Sequence, residues 1–339
     1  MTDVKRNLII LAIATACLGV VAVRHELKAR AIADASSLPD LLNLAPADST
    51  FIAYSDVAAL RQSPVIQQVE ALAKPATMDR DYADFVSATG FDYERDLDHV
   101  VLATRPDGSA QETFAFAEGR FDQKKIEAYA SRSGKIQNQN GRTVYVVPST
   151  TAGKSVSLSF LSPNRIAVSE GGNIFAAPGG FSAAPLDPAL RERLSRVAGA
   201  PFFFTAKMPA RGAMGASNPV AASVSSLFES IRWLDVAARP DGDNLILSAE
   251  GECGTPDQAQ KVASTLELLR AVVEGALANP NSSMRLPADS AATAERLLKA
   301  ASITSTADRV RLLITVTSDM LHLPGAAAPA PPLQHPANR

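Results

Sequence analysis

A four-residue string, Arg105-Pro106-Asp107-Gly108, returns as Arg239-Pro240-Asp241-Gly242, and Ala117-Glu118-Gly119 returns as Ala249-Glu250-Gly251. Both pairs occur in the same order and in the same setting, a strand-like run, a turn, a second strand-like run and then a capped helix start. One short turn could recur by chance. Two strings in order at nearly equal separation are better explained by duplication. The chain is therefore expected to contain two related units, and residues 46 to about 170 should superpose on 199 to about 318.

The pattern inside each unit reads as strand and helix in alternation with hairpins. Phe51-Ile52-Ala53-Tyr54 is a strand signal, and Ser63-Pro64 a helix start with Ser at the N-cap. Val65, Ile66, Val69, Leu72 and Ala73 follow at helical spacing until Pro75. A short helix is expected from Asp79 to Thr89, stopped by Gly90, then a strand at His99–Ala103, a turn, and a strand from Thr113 to Glu118. Asp122 caps the next helix. Asn140-Gly141 predicts a type I′ hairpin turn into Thr143–Val147, and Pro163-Asn164 joins Val156–Leu161 to Arg165–Ser169. A helix over Leu186–Val197 closes the first unit.

In the second unit Phe202-Phe203-Phe204 is the opening strand, Val220–Ile231 a helical stretch and Leu234–Ala238 a strand. Thr255-Pro256-Asp257-Gln258 has the form of a capping box with proline at N1. Ala259, Val262, Ala263, Leu266, Leu269, Val272, Val273 and Ala276 line one face of the helix it starts. A further helix over Ala291–Ala301 and a strand over Val310–Val316 complete the unit. The turns are too short for parallel crossovers. The fold class expected is α+β, a tandem pair of units, each a mainly antiparallel sheet with helices on one face.

Ahead of these units, Lys5 and Arg6 precede an apolar run from Leu8 to Val23, ended by Arg24 and His25. Residues 1–24 are read as a signal anchor or transmembrane helix, 25–45 as a juxtamembrane stalk, 46–198 as the first unit with its linker, 199–322 as the second, and 323–339 as a Pro/Ala-rich disordered tail. Cleavage at Ala31-Ile32-Ala33 is disfavoured because Arg24, Lys28 and Arg30 stand between it and the apolar run. Lipidation at Cys17 is disfavoured because Ala14-Thr15-Ala16 lacks the usual leucine. Basic residues flank both ends of the run, so orientation rests on the usual behaviour of signal anchors. That behaviour gives a single-pass inner-membrane protein with the bulk of the chain periplasmic or otherwise extracytoplasmic.

Residues Pro46-Ala47-Asp48-Ser49 before a strand, Leu60 through Ser63-Pro64, and Thr89-Gly90-Phe91-Asp92 leading to Asp96-Leu97-Asp98 resemble a group of bacterial membrane-anchored envelope proteins of unknown function. The resemblance covers about residues 46–120, and the second half only by architecture. It implies an N-terminal hydrophobic segment and a repeated α/β region, and carries over no catalytic residue. A bacterial source would also make the Asn281-Ser282-Ser283 sequon irrelevant.

Net charge is −2, with no long basic run, which argues against nucleic acid as a partner. Four acids alternate at Asp92, Glu94, Asp96 and Asp98. If extended, the segment would place all four on one side, but a calcium loop needs glycine at Leu97 and glutamate at Ala103. The acids are read as a solvated connection with Arg95 nearby. Gly153-Lys154-Ser155 lacks both the upstream glycine of a phosphate loop, Pro148 standing there, and the following helix. His25, His99, His322 and His335 are scattered, so His99 is read as structural or surface. Cys253, the single thiol of the folded part, is read as a buried hydrophobe.

No catalytic, cofactor-binding or metal residue is assigned, no cofactor is expected, and the chain is read as a non-enzyme. The function expected is a binding or structural module. Its partners are the membrane, through the N-terminal helix, and an envelope protein or apolar ligand. Two alternatives stand beside it: a lipid or apolar small-molecule binder using a groove between the units and Phe202-Phe203-Phe204, or a hydrolase with carboxylates assembled by the fold.

Overall fold

The computed structural model describes residues 38–67, 80–107, 110–148, 154–170, 174, 186–208, 229–279 and 288–321. The N-terminal apolar run, most of the stalk, the helix beyond Gln67, the stretch Val220–Phe228 and the Pro/Ala-rich tail lie outside them. Among the described residues no helix is long and apolar enough to cross a membrane.

Among the described residues twelve strands form one sheet, and every paired neighbour is antiparallel. They are β1 Phe51–Asp56, β2 Leu97–Asp107, β3 Ala110–Gly119, β4 Lys135–Gln139, β5 Arg142–Pro148, β6 Ser155–Ser162, β7 Arg165–Glu170, β8 Phe202–Lys207, β9 Ile231–Asp241, β10 Asn244–Cys253, β11 Ala301–Thr306 and β12 Arg309–Thr317. Across the sheet the order is β11-β12-β10-β9-β8-β1-β2-β3-β7-β6-β5-β4. The helices whose whole span is described are α1 Val57–Leu60, α2 Arg80–Thr89, α3 Tyr93–Asp96, α4 Gln123–Ser133, α5 Pro188–Val197, α6 Pro256–Ala278, α7 Ala288–Ala300 and α8 Ser318–Leu321.

The two halves of the chain are parts of this one sheet, joined by the β1–β8 pair. Register at that junction is two-fold symmetric. Ala53 opposes Phe204 at the centre, flanked by Ile52–Thr205 and Tyr54–Phe203, then by Phe51–Ala206 and Ser55–Phe202. Outward from the junction, β1-β2-β3-β7-β6 on one side corresponds to β8-β9-β10-β12-β11 on the other. The repeated Arg-Pro-Asp strings end β2 and β9, with Asp107 opposite Ala110 and Asp241 opposite Asn244. Counted from those pairs, Glu118 corresponds to Glu252, and each faces an arginine that opens the next paired strand, Arg165 and Arg309. The Gly119 amide donates to Asn164 (3.0 Å) and the Cys253 amide to Asp308 (2.8 Å), again at matching points. The two Ala-Glu-Gly strings are not equivalent: Glu118 opposes His99, but Glu250 opposes Asp235, two residues nearer the turn.

Both faces of the sheet need cover around the junction, because apolar residues there occupy consecutive positions. Ile52, Tyr54, Val101, Ala103, Phe116 and Phe203 point to one face, where the 3₁₀ turn Asp40–Leu44 and α5 bury them through Leu41, Leu42, Leu190 and Leu194. Ala53, Val100, Leu102, Ala115, Ala117 and Val168 point to the other, packed with Val57, Phe85, Phe91 and Phe121. Over the second half, α6 lies against Cys253 and Val310 through Ala259, Val262 and Ala263, and Leu297 of α7 joins the Leu245–Val316 cluster. Helices therefore cover both faces, not the one face expected. A sheet apolar on both sides cannot leave one to water.

Local signals account for many boundaries. Asp56, Asp122, Asp187 and Thr255 each accept a hydrogen bond from an amide of the helix they precede. Gln258 accepts from Gly254 N–H at 2.9 Å, one residue outside the usual capping box. Asn140 and Gly141 both have positive φ, 52° and 78°, as a type I′ turn requires. Ser63 departs from its expected role: its hydroxyl oxygen is buried without a hydrogen-bond partner, although a helix does begin at residue 64.

Candidate functional site

The acidic stretch is not an extended row. Asp92 accepts the Glu94 amide at 3.0 Å and starts the single turn α3, which breaks the alternation at Tyr93–Asp96. Asp96 is folded inward, 6% exposed, and its carboxylate accepts the Asp92 amide (3.0 Å) and two bonds from Arg95 (2.9 and 2.6 Å), with Arg120 3.6 Å away. The Arg95 hydrogen bond holds the Asp96 carboxyl below the usual carboxylate range, against the opposing effect of burial. Asp98 lies 3.3 Å from Arg120 and 3.9 Å from Arg61. The reading of these acids as a solvated connection is thus corrected at Asp96, whose buried carboxylate, near Arg120, ties α3 to the residue that follows β3. Among the described residues, no group of three His, Cys, Asp or Glu is arranged to hold a metal ion.

Beside this stretch, at the same end of the sheet, Tyr54 Oη and His99 Nδ1 share a 3.0 Å hydrogen bond, and Asp56 Oδ1 is 3.7 Å from the same nitrogen. Asp56 Oδ1 also accepts the Ala59 amide at 2.7 Å, so the carboxylate is part of the α1 cap. Burial first, then Asp56 and Glu118, push the Tyr54 phenol far above its ordinary value. The phenol consequently stays protonated and His99 is anchored by it. Such a pair positions a ring but does not generate a nucleophile. Glu118 accepts from Arg165 across the β3–β7 pair, and Arg165 reaches Asp40 at 2.9 Å, fastening the 3₁₀ turn to the sheet. Gly119, Arg120, Phe121, Asp122, Gln123, Lys124, Glu127, Pro163 and Asn164 line an open concavity of about 910 Å³ at this rim. Its lining carries both charge signs.

A second polar cluster occupies the corresponding part of the other half. Arg193 makes a two-pronged contact with Glu252 (2.6 and 3.1 Å) while its guanidinium lies 4.6 Å from the centre of the Trp233 ring. Arg196 bonds Glu192 (2.6 Å) and Asp235 (3.0 Å). Asp235, 2% exposed, also accepts from Thr205 at 2.5 Å, and burial raises its carboxyl above the usual range. Arg309 faces Glu252 in register, but its guanidinium lies near Glu250 and Glu192, each at 3.7 Å.

These residues escaped sequence reasoning because partners such as Arg193 and Glu252 stand 59 positions apart. The one visible signal was Arg193 and Arg196 three residues apart on the amphipathic helix that also carries Leu190 and Leu194. Phe202-Phe203-Phe204 does not line a groove between units. Phe203 packs 5.2 Å from Tyr54 on one face, and Phe202 and Phe204 join the core of the other. Cys253 is 2% exposed, with its thiol pushed up by burial, and Lys154 leads into strand β6.

No family model matches the sequence, and no curated protein matches it. Among solved structures, crystal form I of TP0453 overlaps 84% of this chain and 96% of its own, at 12% identity and a TM-score of 0.43. Crystal form III gives 12% and 0.44 over the same shares, and crystal form IV gives 11% and 0.45 over 83% and 94%. A likeness at this level carries no argument about function.

Proposed function

We propose that this chain is a membrane-anchored envelope protein whose two halves share a common origin and together form a non-enzymatic binding or structural module. Membership of the bacterial envelope group that residues 46–120 resemble is part of the reading. The observation that carries it is the symmetric register about Ala53–Phe204, which puts the Glu118–Arg165 and Glu252–Arg309 pairs at corresponding points. Ion pairs in both halves fasten α5, the 3₁₀ turn and α3 to the sheet. Membrane attachment rests on the apolar run Leu8–Val23, with the folded part on the extracytoplasmic side.

Cell fractionation tests this. The full chain should remain with the membrane in high salt and be digested by protease added to spheroplasts. A chain lacking residues 1–34 should be soluble and folded. Membrane retention of the shortened chain, or protection of the full chain from external protease, would overturn the anchor and its orientation.

A further inference from the structure

We propose that the free edge of β11 pairs with β11 of a second copy of this chain, extending the sheet across a two-fold axis. The argument starts from register. Pairing through β7 and β12 matches Val156, Ser157, Leu158 and Ser159 of β6 with Ala301, Ser302, Ile303 and Thr304 of β11. The outer side of β6 is occupied, since β5 adds to it with Tyr145 opposite Leu158, Val146 opposite Ser157 and Val147 opposite Val156. Among the described residues, β11 ends the sheet at the corresponding place. This correspondence is geometric and holds whether or not the halves share an ancestor.

The two sheet edges differ in chemistry. β4, Lys135-Ile136-Gln137-Asn138-Gln139, carries a lysine, a common guard against edge pairing. β11, Ala301-Ser302-Ile303-Thr304-Ser305-Thr306, has no charge, no proline and no glycine, and consists mainly of β-branched and small polar residues. Its first carbonyl, on Ala301, accepts Arg270 Nη1 of α6 at 2.9 Å, and the Ser305 hydroxyl donates to Gln260 of the same helix at 2.7 Å, which leaves the backbone of Ser302–Thr306 for an added strand.

Those five residues suit themselves. Antiparallel pairing about Thr304 sets Thr304 on Thr304, Ser302 on Thr306 and Ile303 on Ser305, keeps every side chain on its own face, and opposes no like charges. The chain already uses this geometry internally, where β1 and β8 pair about a two-fold axis through Ala53–Phe204.

The test uses full-length protein in mild detergent, in a Cys17→Ser background with the buried Cys253 retained. Thr304→Cys should form a disulfide-linked dimer in mild oxidant, because the two Thr304 positions face each other. Gln137→Cys, on the β4 edge, should not. Without oxidant, the unsubstituted chain should have the mass of a dimer and Thr304→Lys that of a monomer with unchanged circular dichroism, since Thr304 is exposed. Equal cross-linking at both edges, a dimer that survives Thr304→Lys, or a monomeric parent chain overturns the proposal. The last outcome would leave the edge to a strand from a different protein.

Discussion

Gly119 stands where β3 passes the end of α3: a methyl group there would lie 2.2 Å from the Asp96 carbonyl oxygen. That backbone contact cannot move without dislodging α3, so Gly119→Ala should cost about 3 kcal/mol, read as a fall in denaturant midpoint. Gly141 makes the useful contrast. Nothing lies within 4 Å of its added carbon, so Gly141→Ala should cost only about 1–2 kcal/mol, the strain of its positive φ. Asp96 itself gives a pH signature. Its carboxyl sits below the ordinary 3.8 because Arg95 bonds the charged form, so its stabilisation is present above 3.8 and lost as pH falls through the folded value. Asp96→Asn should therefore cost about 2 kcal/mol at pH 7, and thermal melts of the two proteins should converge on acidification below pH 3.8. The sequence showed the Asn140-Gly141 turn and Arg95 beside the alternating acids. The inward turn of Asp96 and the close approach of Gly119 were not legible, because Arg120, 3.6 Å from Asp96, follows it by 24 residues and is brought near by the β2–β3 hairpin.

Elements were legible where the cause is local. The caps at Asp122 and Thr255, the Asn140-Gly141 turn and the helix ending at Thr89 all depend on residues within a few positions. β11 was missed because Ser302–Thr306 has one large apolar residue, Ile303, and its strand character comes from pairing with β12. The ion pairs of α5 were hidden for the same reason: Arg196 meets Asp235 only because β9 passes beneath the helix. Removing that partner exposes what the pair does. Arg196→Ala leaves the buried Asp235 with its Thr205 hydrogen bond and only the more distant charge of Arg193, and should destabilise the fold by about 3–5 kcal/mol at neutral pH. Burial already raises the Asp235 carboxyl, and a raised folded value means stability is lost as pH rises through it. The Arg196→Ala protein should thus recover part of its loss on mild acidification. The double variant Arg196→Ala/Asp235→Asn should be more stable than Arg196→Ala at pH 7, and a double variant no better than the single would show that the carboxylate charge is not the source of the cost.

At the scale of the whole molecule, the repeated strings were legible and their relation in space was not. Two copies of a strand–turn–strand–helix pattern fit two separate sheets as well as one, and the choice is made by β1 and β8. Both strands are short and apolar on each face, so each gains cover by lying between neighbours and would be an exposed edge if the halves parted. The junction has a mechanical consequence. Phe203, fully buried, packs against Tyr54 of the first half, and Phe204 packs 5.7 Å from Phe51. Opening the β1–β8 pair exposes core from both halves at once, so neither should unfold alone. The protein has one tryptophan, Trp233 on β9, whose fluorescence reports the second half, while hydrogen exchange of the β2 and β3 amides reports the first. Both probes should give one denaturant midpoint, coincident with far-ultraviolet circular dichroism. Phe203→Ala should lower that common midpoint by the equivalent of about 3–5 kcal/mol while keeping the probes together. If the tryptophan midpoint fell and first-half exchange did not change, the halves would be independent domains that only touch, and the continuous sheet would not be a unit of stability.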